Sequence, residues 1–307
     1  MPDSQTFLVR PFTITCNRTV LAAGQSYLFG YAFAQPGEAN SNWTQTMEQP
    51  PPVPVVPTAD VPPPRSSFFA KAFNIFAVPG DVFEEIRTAP AATANWLVPI
   101  LVSSLLGIVA SLIIFDQPNI QQQLREQNAR AIDRQVKAGK LSQAEADQRL
   151  AMSEKYMGPA MLKVFGSVFG TAAAFIRLFW WGFILWLFSR WFLHTPVGYL
   201  KTLEVCGLAA LIAVLGGIIG LLLQMNLDRL MVTPSAALLV SEFDVTRKAH
   251  WFLAAANPFY FWQVGIMGFG LAKLVGSPVW RAAMPVTAFW LIQESALILA
   301  GLGQFAM

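Results

Sequence analysis

Residues 96–115 read WLVPILVSSLLGIVASLIIF, a run that carries no charged side chain. A helix needs about 20 predominantly apolar residues to cross the hydrocarbon core of a bilayer. Four further apolar stretches follow this one, at about 161–192, 200–227, 255–275 and 280–306. We therefore expect an all-α integral membrane protein with five transmembrane helices.

The composition of the whole chain agrees with this expectation. Hydrophobic residues make up 54% of the chain and charged residues only 13%, whereas about 25% of a soluble globular protein is charged. Several of the ten tryptophans lie near the ends of the apolar stretches, where amphipathic rings favour the headgroup zone: Trp96, Trp191, Trp251 and Trp280. The lipid bilayer is therefore the first partner that the sequence implies.

Several classes of function find no support in the sequence. The net charge is +3 without a dense Lys/Arg cluster, so we expect no nucleic-acid partner. Cys16 lies in a polar region and Cys206 in an apolar one, which argues against a disulfide or a cysteine metal site. The chain contains no His-Glu-x-x-His, nucleophile elbow, glycine-rich phosphate loop or Cys-x-x-Cys. We expect a protein that is not an enzyme, with no catalytic residues, no cofactor and no metal.

The chain divides into a tail, residues 1–66, and a membrane domain, residues 67–307. The second half of the tail, residues 50–64, is very rich in proline, which predicts an extended, disordered segment. Residues 20–34 follow two arginines and end in Ala32-Phe33-Ala34. This pattern leaves two interpretations open, a cleaved signal peptide or an irregular tail whose insertion signal is the first membrane helix.

Residues 67–88 combine many apolar side chains with charged ones, and Pro79-Gly80 divides the stretch into two pieces. The pattern predicts two short amphipathic helices that lie in the membrane interface. The alternative is a soluble helical segment packed on a partner. Residues 234–240 are too short to span a membrane, and we expect a short interfacial or re-entrant helix there.

Residues 116–159 form a polar insertion with a narrow apolar stripe that includes Ile120, Leu124 and Ile132. The stripe has helical spacing, and Ser142-Gln-Ala-Glu145 has the pattern of a capping box that opens a second helix. We therefore expect an extramembrane helical hairpin, either a solvated appendage or a docking arm.

Ionisable groups within the apolar runs are costly and are candidates for function. Arg177 lies in the middle of the second run, and Gln293 and Glu294 lie in the middle of the fifth. Three interpretations are open for Arg177: an ion pair with Glu294 that fixes helix packing, a solvated cavity or ion path, or a position closer to the interface. Lys201 and Glu204 begin the third run, and we expect them to extend to the interface.

Pairs of glycines four residues apart allow close approach of membrane helices. The second run contains Gly166 and Gly170, and the third contains Gly216 and Gly220. We predict that these four glycines are helix-packing positions.

Two stretches resemble the Yip-domain family, which is named for eukaryotic members that interact with Ypt/Rab GTPases. The first is Phe73-Asn-Ile-Phe-Ala-Val-Pro-Gly-Asp-Val-Phe-Glu-Glu-Ile86, followed by Trp96-Leu-Val-Pro99. The second is Asn257-Pro-Phe-Tyr-Phe-Trp262 with Gly268-Phe-Gly-Leu-Ala272. Asn257 stands where the family pattern has an aspartate, and the resemblance extends over residues 68–305 apart from the insertion.

The resemblance implies five helices, a cytosolic N-terminus and a C-terminus on the opposite side. The tail and the insertion look like the bacterial branch, which implies the bacterial cytoplasmic (inner) membrane and no Rab partner. The distribution of Lys and Arg is nearly balanced between the two sides, so the orientation depends on the resemblance alone.

These features favour a non-enzymatic membrane scaffold or accessory subunit that binds another membrane protein. The first alternative is a small permease or channel that uses the region of Arg177 and Glu294, and a third hypothesis is an enzyme that acts on lipid. Transporters commonly contain two related halves, and this chain has no internal repeat, which favours the scaffold.

Overall fold

The computed structural model describes residues 66–156, 158–241 and 243–303. The predicted tail therefore lies outside the described residues, Ser66 excepted, as does the candidate cleavage site. Within the described ranges all regular structure is helical. The α-helices are α1 (Phe68–Ala77), α2 (Pro79–Thr88), α3 (Ala94–Ile114), α4 (Pro118–Lys137), α5 (Gln143–Tyr156), α6 (Pro159–Trp191), α7 (Tyr199–Leu227), α8 (Lys248–Ala255), α9 (Pro258–Val275) and α10 (Val279–Leu299), with a 3₁₀ helix at Ala236–Leu239.

Four of the described helices, α3, α6, α7 and α10, are long and apolar enough to cross a membrane. The predicted class, an all-α membrane protein, is thus confirmed, but the predicted number of such helices was five. The difference is α9, which has 18 residues and contains Gln263 and Lys273, whose polar side chains lower its mean hydropathy. The crossing of α9 stays a prediction.

Successive long helices run antiparallel. Lys163 at the beginning of α6 pairs with Asp116 just beyond α3, at 2.7 Å, while the rings of Trp96 and Phe179 meet at the opposite end of α3. Helix α9 runs antiparallel to α7, because Phe259 lies against Gly216 and Gly270 lies against Val205. All five segments therefore extend between the same two ends of one bundle.

The two ends carry different structures. One, which we call the entry end, carries α1, α2 and the turn before α3. The other, the hairpin end, carries α4, α5 and residues 228–257. At the hairpin end Lys248 donates a hydrogen bond of 2.6 Å to the carbonyl of Leu299, in the last turn of α10.

The apolar faces of α1 and α2 pack on the bundle. Ile75, Phe83 and Ile86 are fully buried, and Phe83 fits against Gly270 of α9. Other side chains of α1 point outward, with Phe69 and Phe73 73% and 77% exposed. The two predicted amphipathic helices are present, and the exposed phenylalanines suit the predicted position in the membrane interface.

The predicted hairpin is formed by α4 and α5. Gly139 has a positive φ of 69° in the turn between them, a conformation that glycine adopts without strain. Ser142 and Glu145 form the predicted capping box, with hydrogen bonds of 2.8 and 3.3 Å in the two directions. Ile132, Leu141 and Ala146 form a small core of the hairpin.

The hairpin is also attached to the segment that follows α7. Gln123 donates a hydrogen bond of 2.6 Å to the carbonyl of Asp228, and its side-chain oxygen accepts one of 3.2 Å from the amide of Leu230. Arg134 forms an ion pair of 3.3 Å with Asp244. The hairpin therefore does not project freely, because contacts at both of its ends hold it to the bundle.

The predicted short helix is the 3₁₀ helix Ala236–Leu239. Pro234 lies against α7 at Gly220, two turns before α7 ends, and Gln224 donates to the carbonyl of Val232 at 3.1 Å. The chain thus folds back alongside α7 after leaving it, which is the course expected of a re-entrant segment.

Candidate functional site

Arg177 lies near the middle of α6, between Lys163 and Arg190, the other two charged residues of this helix. At 1.5 Å per residue, about 20 Å of helix separates it from each of them. Arg177 lines three neighbouring cavities, of about 420, 310 and 200 Å³. The largest lies between α6, α9 and α10, and we call it the α6–α10 groove.

Glu294 and Gln293 enter the same groove from α10. The indole N–H of Trp180 donates a hydrogen bond of 2.7 Å to the side-chain oxygen of Gln293, which links α6 to α10. The Oε2 atom of Glu294 is buried and has no hydrogen-bond partner among the residues that the structure describes. A carboxylate oxygen without a partner at this depth requires a donor or a proton.

The structure brings Arg177 and Glu294 into one groove without joining them directly. Among the residues that the structure describes, no nitrogen of Arg177 lies within 4.0 Å of a Glu294 oxygen, whereas ion pairs such as Lys71–Glu85 and Lys163–Asp116 meet this distance. Arg177 is exposed rather than enclosed. Both side chains are therefore available to a third group placed between them, and their predicted ion pair stays a prediction.

Aromatic and amide side chains form the remainder of the groove. Trp181, Trp290, Tyr260 and Gln263 line it beside the charged residues. Indole and phenol rings attract cations through their π faces, and amides both donate and accept. The groove can therefore accommodate an anionic group beside Arg177 and a cationic group beside Glu294.

Lys201 and Glu204 do not extend to the interface as predicted. The Glu204 side chain is 2% exposed and that of Lys201 is 17% exposed. Glu204 accepts hydrogen bonds from the amide of Ala92 and the side chain of Asn95, at 3.1 and 2.6 Å. The turn between α2 and α3 covers this end of α7 and separates both side chains from the interface.

Lys201 binds the other side of the same turn, where its ammonium donates to the carbonyls of Ile86 and Ala89. The cationic Lys201 thus lies at the C-terminal end of α2, and the anionic Glu204 lies at the N-terminal end of α3. Each charge has the sign that the dipole of the neighbouring helix favours. The two charges also lie 3.5 Å apart. This arrangement attaches the entry helices to the membrane bundle.

The four predicted packing glycines occupy different environments. A Cβ at Gly166 would lie 2.7 Å from Phe115 and Ser111, and one at Gly216 would lie 2.8 Å from Phe259. At Gly220 the nearest atom is Pro234 Cδ at 3.6 Å, an ordinary contact, and at Gly170 nothing lies within 4 Å. Gly166 and Gly216 are therefore tight helix contacts inside the bundle, while Gly170 lines one of the cavities.

Two contacts that bring the backbone of another helix against a glycine lie at positions that the spacing pattern missed. A Cβ at Gly207 would lie 2.3 Å from the Cα of Trp96, and one at Gly268 would lie 2.7 Å from the Cα of Ala283. The Gly268–x–Gly270 spacing places the two glycines on different faces of α9, against α10 and against Phe83. A search for glycines four residues apart cannot find such single crossings.

Asn257 is the N-cap of α9. Its side-chain oxygen accepts a hydrogen bond of 2.9 Å from the amide of Phe259, and the residue is 3% exposed. Asparagine and aspartate cap helices about equally well. The asparagine found where the family pattern has an aspartate therefore retains the structural role of that position without its charge.

A second group of polar residues lies at the hairpin end, between α4 and residues 228–250. Two clefts there, of about 390 and 420 Å³, share Arg130 and Phe243. Hydrogen bonds from the side chain and backbone of Thr246, together with Arg134, hold the pKa of Asp244 at about 2. The carboxylate of Asp244 is thus fully charged at neutral pH and can hold Arg134 in place.

Within the ranges that the structure describes, no three His, Cys, Asp or Glu side chains come together in an arrangement that could hold a metal ion. Cys206 is buried. His250 accepts a hydrogen bond of 2.9 Å from the amide of Asp244 through Nδ1, a structural contact within the loop.

A family model for the Yip1 domain matches residues 73–301. The match begins within α1 and extends past the end of α10, so it includes the hairpin and both stretches that carried the resemblance. Searches of curated proteins and of solved structures gave no match.

Proposed function

Since the chain belongs to the Yip1 domain family, we propose that it is a non-enzymatic scaffold or accessory subunit that binds another membrane protein. The family is not known as an enzyme family. We place the protein in the bacterial cytoplasmic membrane with its N-terminus in the cytoplasm. The observation that carries the proposal is the attachment of the hairpin to residues 228–247.

This attachment matters because a docking arm must hold its binding surface in a fixed position. Gln123 and Arg134, more than two turns apart on α4, both bind the segment after α7. The two clefts between these elements present a mixed surface of arginine, glutamate and aromatic side chains. Arginine and aromatic residues are enriched where proteins bind one another.

The predicted glycine faces are weaker candidates for docking. Gly166 and Gly216 already contact α3 and α9, so neither is free to receive a helix from another protein. The hairpin end is therefore the surface that we assign to the partner.

Cross-linking in native membranes tests this proposal. Lys137 and Lys140 of the hairpin should cross-link to one partner that co-purifies at fixed stoichiometry in a mild detergent. Lys273, near the entry end, serves as the matched control and should give no such product. Replacing residues 118–156 by a short flexible linker should remove the partner while the remaining protein still accumulates in the membrane.

Extraction as a lone monomer, with no cross-link from the hairpin, would overturn the scaffold proposal. The alternative, a small permease or channel, is favoured by one observation: Arg177 lines three neighbouring cavities at membrane depth. A permease or channel should give solute flux in reconstituted vesicles. Arg177→Gln should abolish this flux, and the replacement of the hairpin should leave it unchanged.

A further inference from the structure

The α6–α10 groove contains two opposite charges that do not satisfy each other. Arg177 acts on Glu294 and Tyr260 only through its charge, without a hydrogen bond or ion pair to either within the described ranges. Glu294 Oε2 is buried without a hydrogen-bond partner. Both charges lie far from the ends of their helices. Each unpaired charge at this depth raises the free energy of the folded protein. A bound ligand that places an opposite charge beside each of them removes this cost.

The groove opens towards the lipid rather than towards either end of the bundle. Three of its α6 side chains are exposed on the outer surface of the helix: Phe169 by 67%, Ile176 by 69% and Trp180 by 44%. On α10 the neighbouring Ile292 is 68% exposed. Apolar side chains with this exposure face acyl chains in a membrane, so a ligand with apolar tails can enter from the side.

The chemistry of the lining indicates the kind of headgroup. A guanidinium binds a phosphate through charge-assisted hydrogen bonds. A carboxylate beside Trp290 and Tyr260 suits an ammonium, which gains both an ion pair and contact with aromatic faces. A ligand that has both groups, separated by a short linker, matches both ends of the groove.

We infer that the α6–α10 groove binds the headgroup of a zwitterionic phospholipid, with Arg177 on the phosphate and Glu294 on the ammonium. The Trp180–Gln293 hydrogen bond joins α6 to α10 within the lining of the site. This site is independent of the hairpin surface assigned to the protein partner. Its volume of about 420 Å³ is in the range of small-molecule sites.

The test uses the full-length protein in detergent and native mass spectrometry of retained lipid. The probes are phosphatidylethanolamine, phosphatidylglycerol and N-acetyl phosphatidylethanolamine, which share the phosphate but differ in the ammonium. We expect phosphatidylethanolamine to be retained at least about tenfold better than the other two, as for the loss of one charge-assisted hydrogen bond. Equal retention of the three lipids would overturn the inference without recourse to any variant.

Substitutions then test which part of the headgroup each of the two charges binds. Glu294→Gln should remove the preference for phosphatidylethanolamine, and Arg177→Gln should weaken retention of all three lipids by about tenfold. Arg190→Gln, on the same helix but outside the groove, is the matched control and should bind as the unchanged protein does. Unaltered phosphatidylethanolamine retention in both groove variants would contradict the assignment.

A free zwitterion has the same chemistry as the headgroup, and a competition experiment separates the two sources. Glycerophosphoethanolamine, which lacks acyl chains, should fail to displace bound phosphatidylethanolamine at millimolar concentration. Displacement by this soluble compound would show that the groove takes a free zwitterion and would overturn the lipid assignment.

Discussion

The carboxylate of Glu204 on α7 accepts a hydrogen bond of 2.6 Å from the side-chain amide of Asn95 on α3. Both residues are almost completely buried, at 1% and 2% exposure. A buried carboxylate is tolerated only when donors and counter-charges surround it. Here Asn95, the amide of Ala92 and Lys201 supply them, so this pair holds the beginning of α3 and the turn before it against α7.

The first prediction concerns Glu204. Replacing it with leucine leaves Lys201 without its counter-charge and Asn95 without an acceptor, and removing one partner of a buried ion pair costs about 3–5 kcal/mol. We expect Glu204→Leu to lower the melting temperature in detergent strongly, and Glu204→Gln to lower it less because an amide oxygen still accepts. Glu126→Leu on the exposed face of α4 is the control, and an equal effect there would refute the buried network.

Sequence reasoning located the membrane helices but not this network. The apolar run at 96–115 predicted α3 because its length and lack of charge suffice. Lys201 and Glu204 lie at the beginning of such a run, where side chains commonly reach water. Their burial depends on α2 and α3 folding back over α7, a tertiary arrangement that local hydropathy does not contain.

The candidate site was also partly visible in the sequence. Arg177, Gln293 and Glu294 stood out because charged and amide groups are rare in apolar runs, and the structure places all three in one groove. The gap between Arg177 and Glu294 could not be predicted from their depth in the membrane. The rotation of each helix about its own axis decides whether two side chains at the same depth touch. The contribution of Tyr260 and Trp290 was missed because aromatic residues are common in membrane helices.

The second prediction tests the crossing of α3 and α7. A methyl group at Gly207 would lie 2.3 Å from the Cα of Trp96, so the two helices must move apart in Gly207→Ala. Overpacking of this kind costs about 1–3 kcal/mol. Gly265→Ala on α9, where nothing lies within 4 Å, should leave the melting temperature unchanged or slightly raised. Equal effects of the two substitutions would contradict the crossing.

The third prediction concerns the two charges of the groove. Arg177 and Glu294 do not touch in the structure, but they share one groove, so they are coupled through the electric field of the groove or through a bound headgroup. Arg177→Leu and Glu294→Leu each leave the other charge at membrane depth without that coupling, and a lone charge there costs about 2.5–3.5 kcal/mol on insertion scales. We expect each to lower the melting temperature and the double substitution to recover much of the loss. Strictly additive losses in this double-mutant cycle would show that the two charges do not interact.

The fourth prediction concerns the pH dependence of the hairpin attachment. Hydrogen bonds from Thr246 and the charge of Arg134 lower the pKa of Asp244 from 3.8 to about 2. A carboxyl group whose pKa is lowered by folding adds to the free energy of unfolding. This contribution is complete above about pH 4 and disappears as the pH falls through about 2. Because the pair is partly exposed, its contribution is at most about 1 kcal/mol.

Spin labels on cysteines introduced at positions 138 and 241 measure this attachment. We expect a narrow distance distribution at pH 7 and a broader one in Asp244→Asn at the same pH or in the unchanged protein near pH 2. Asp147→Asn on α5 is the control, because its carboxylate does not contact residues 228–247. A distribution that stays narrow in Asp244→Asn would show that the charge of Asp244 is not needed, and that Gln123 together with the hydrogen bond from Arg134 to the Thr246 hydroxyl holds the hairpin.

The central claim is that five antiparallel helices cross the membrane, including α9, and that the entry end and the hairpin end face opposite sides. Topology reporters placed within residues 50–64, at the hairpin turn near Gly139 and after Met307 test it most directly. We predict the same signal from the hairpin turn and the C-terminus, and the opposite signal from residues 50–64. Matching signals from residues 50–64 and the C-terminus would mean an even number of crossings and would contradict the account.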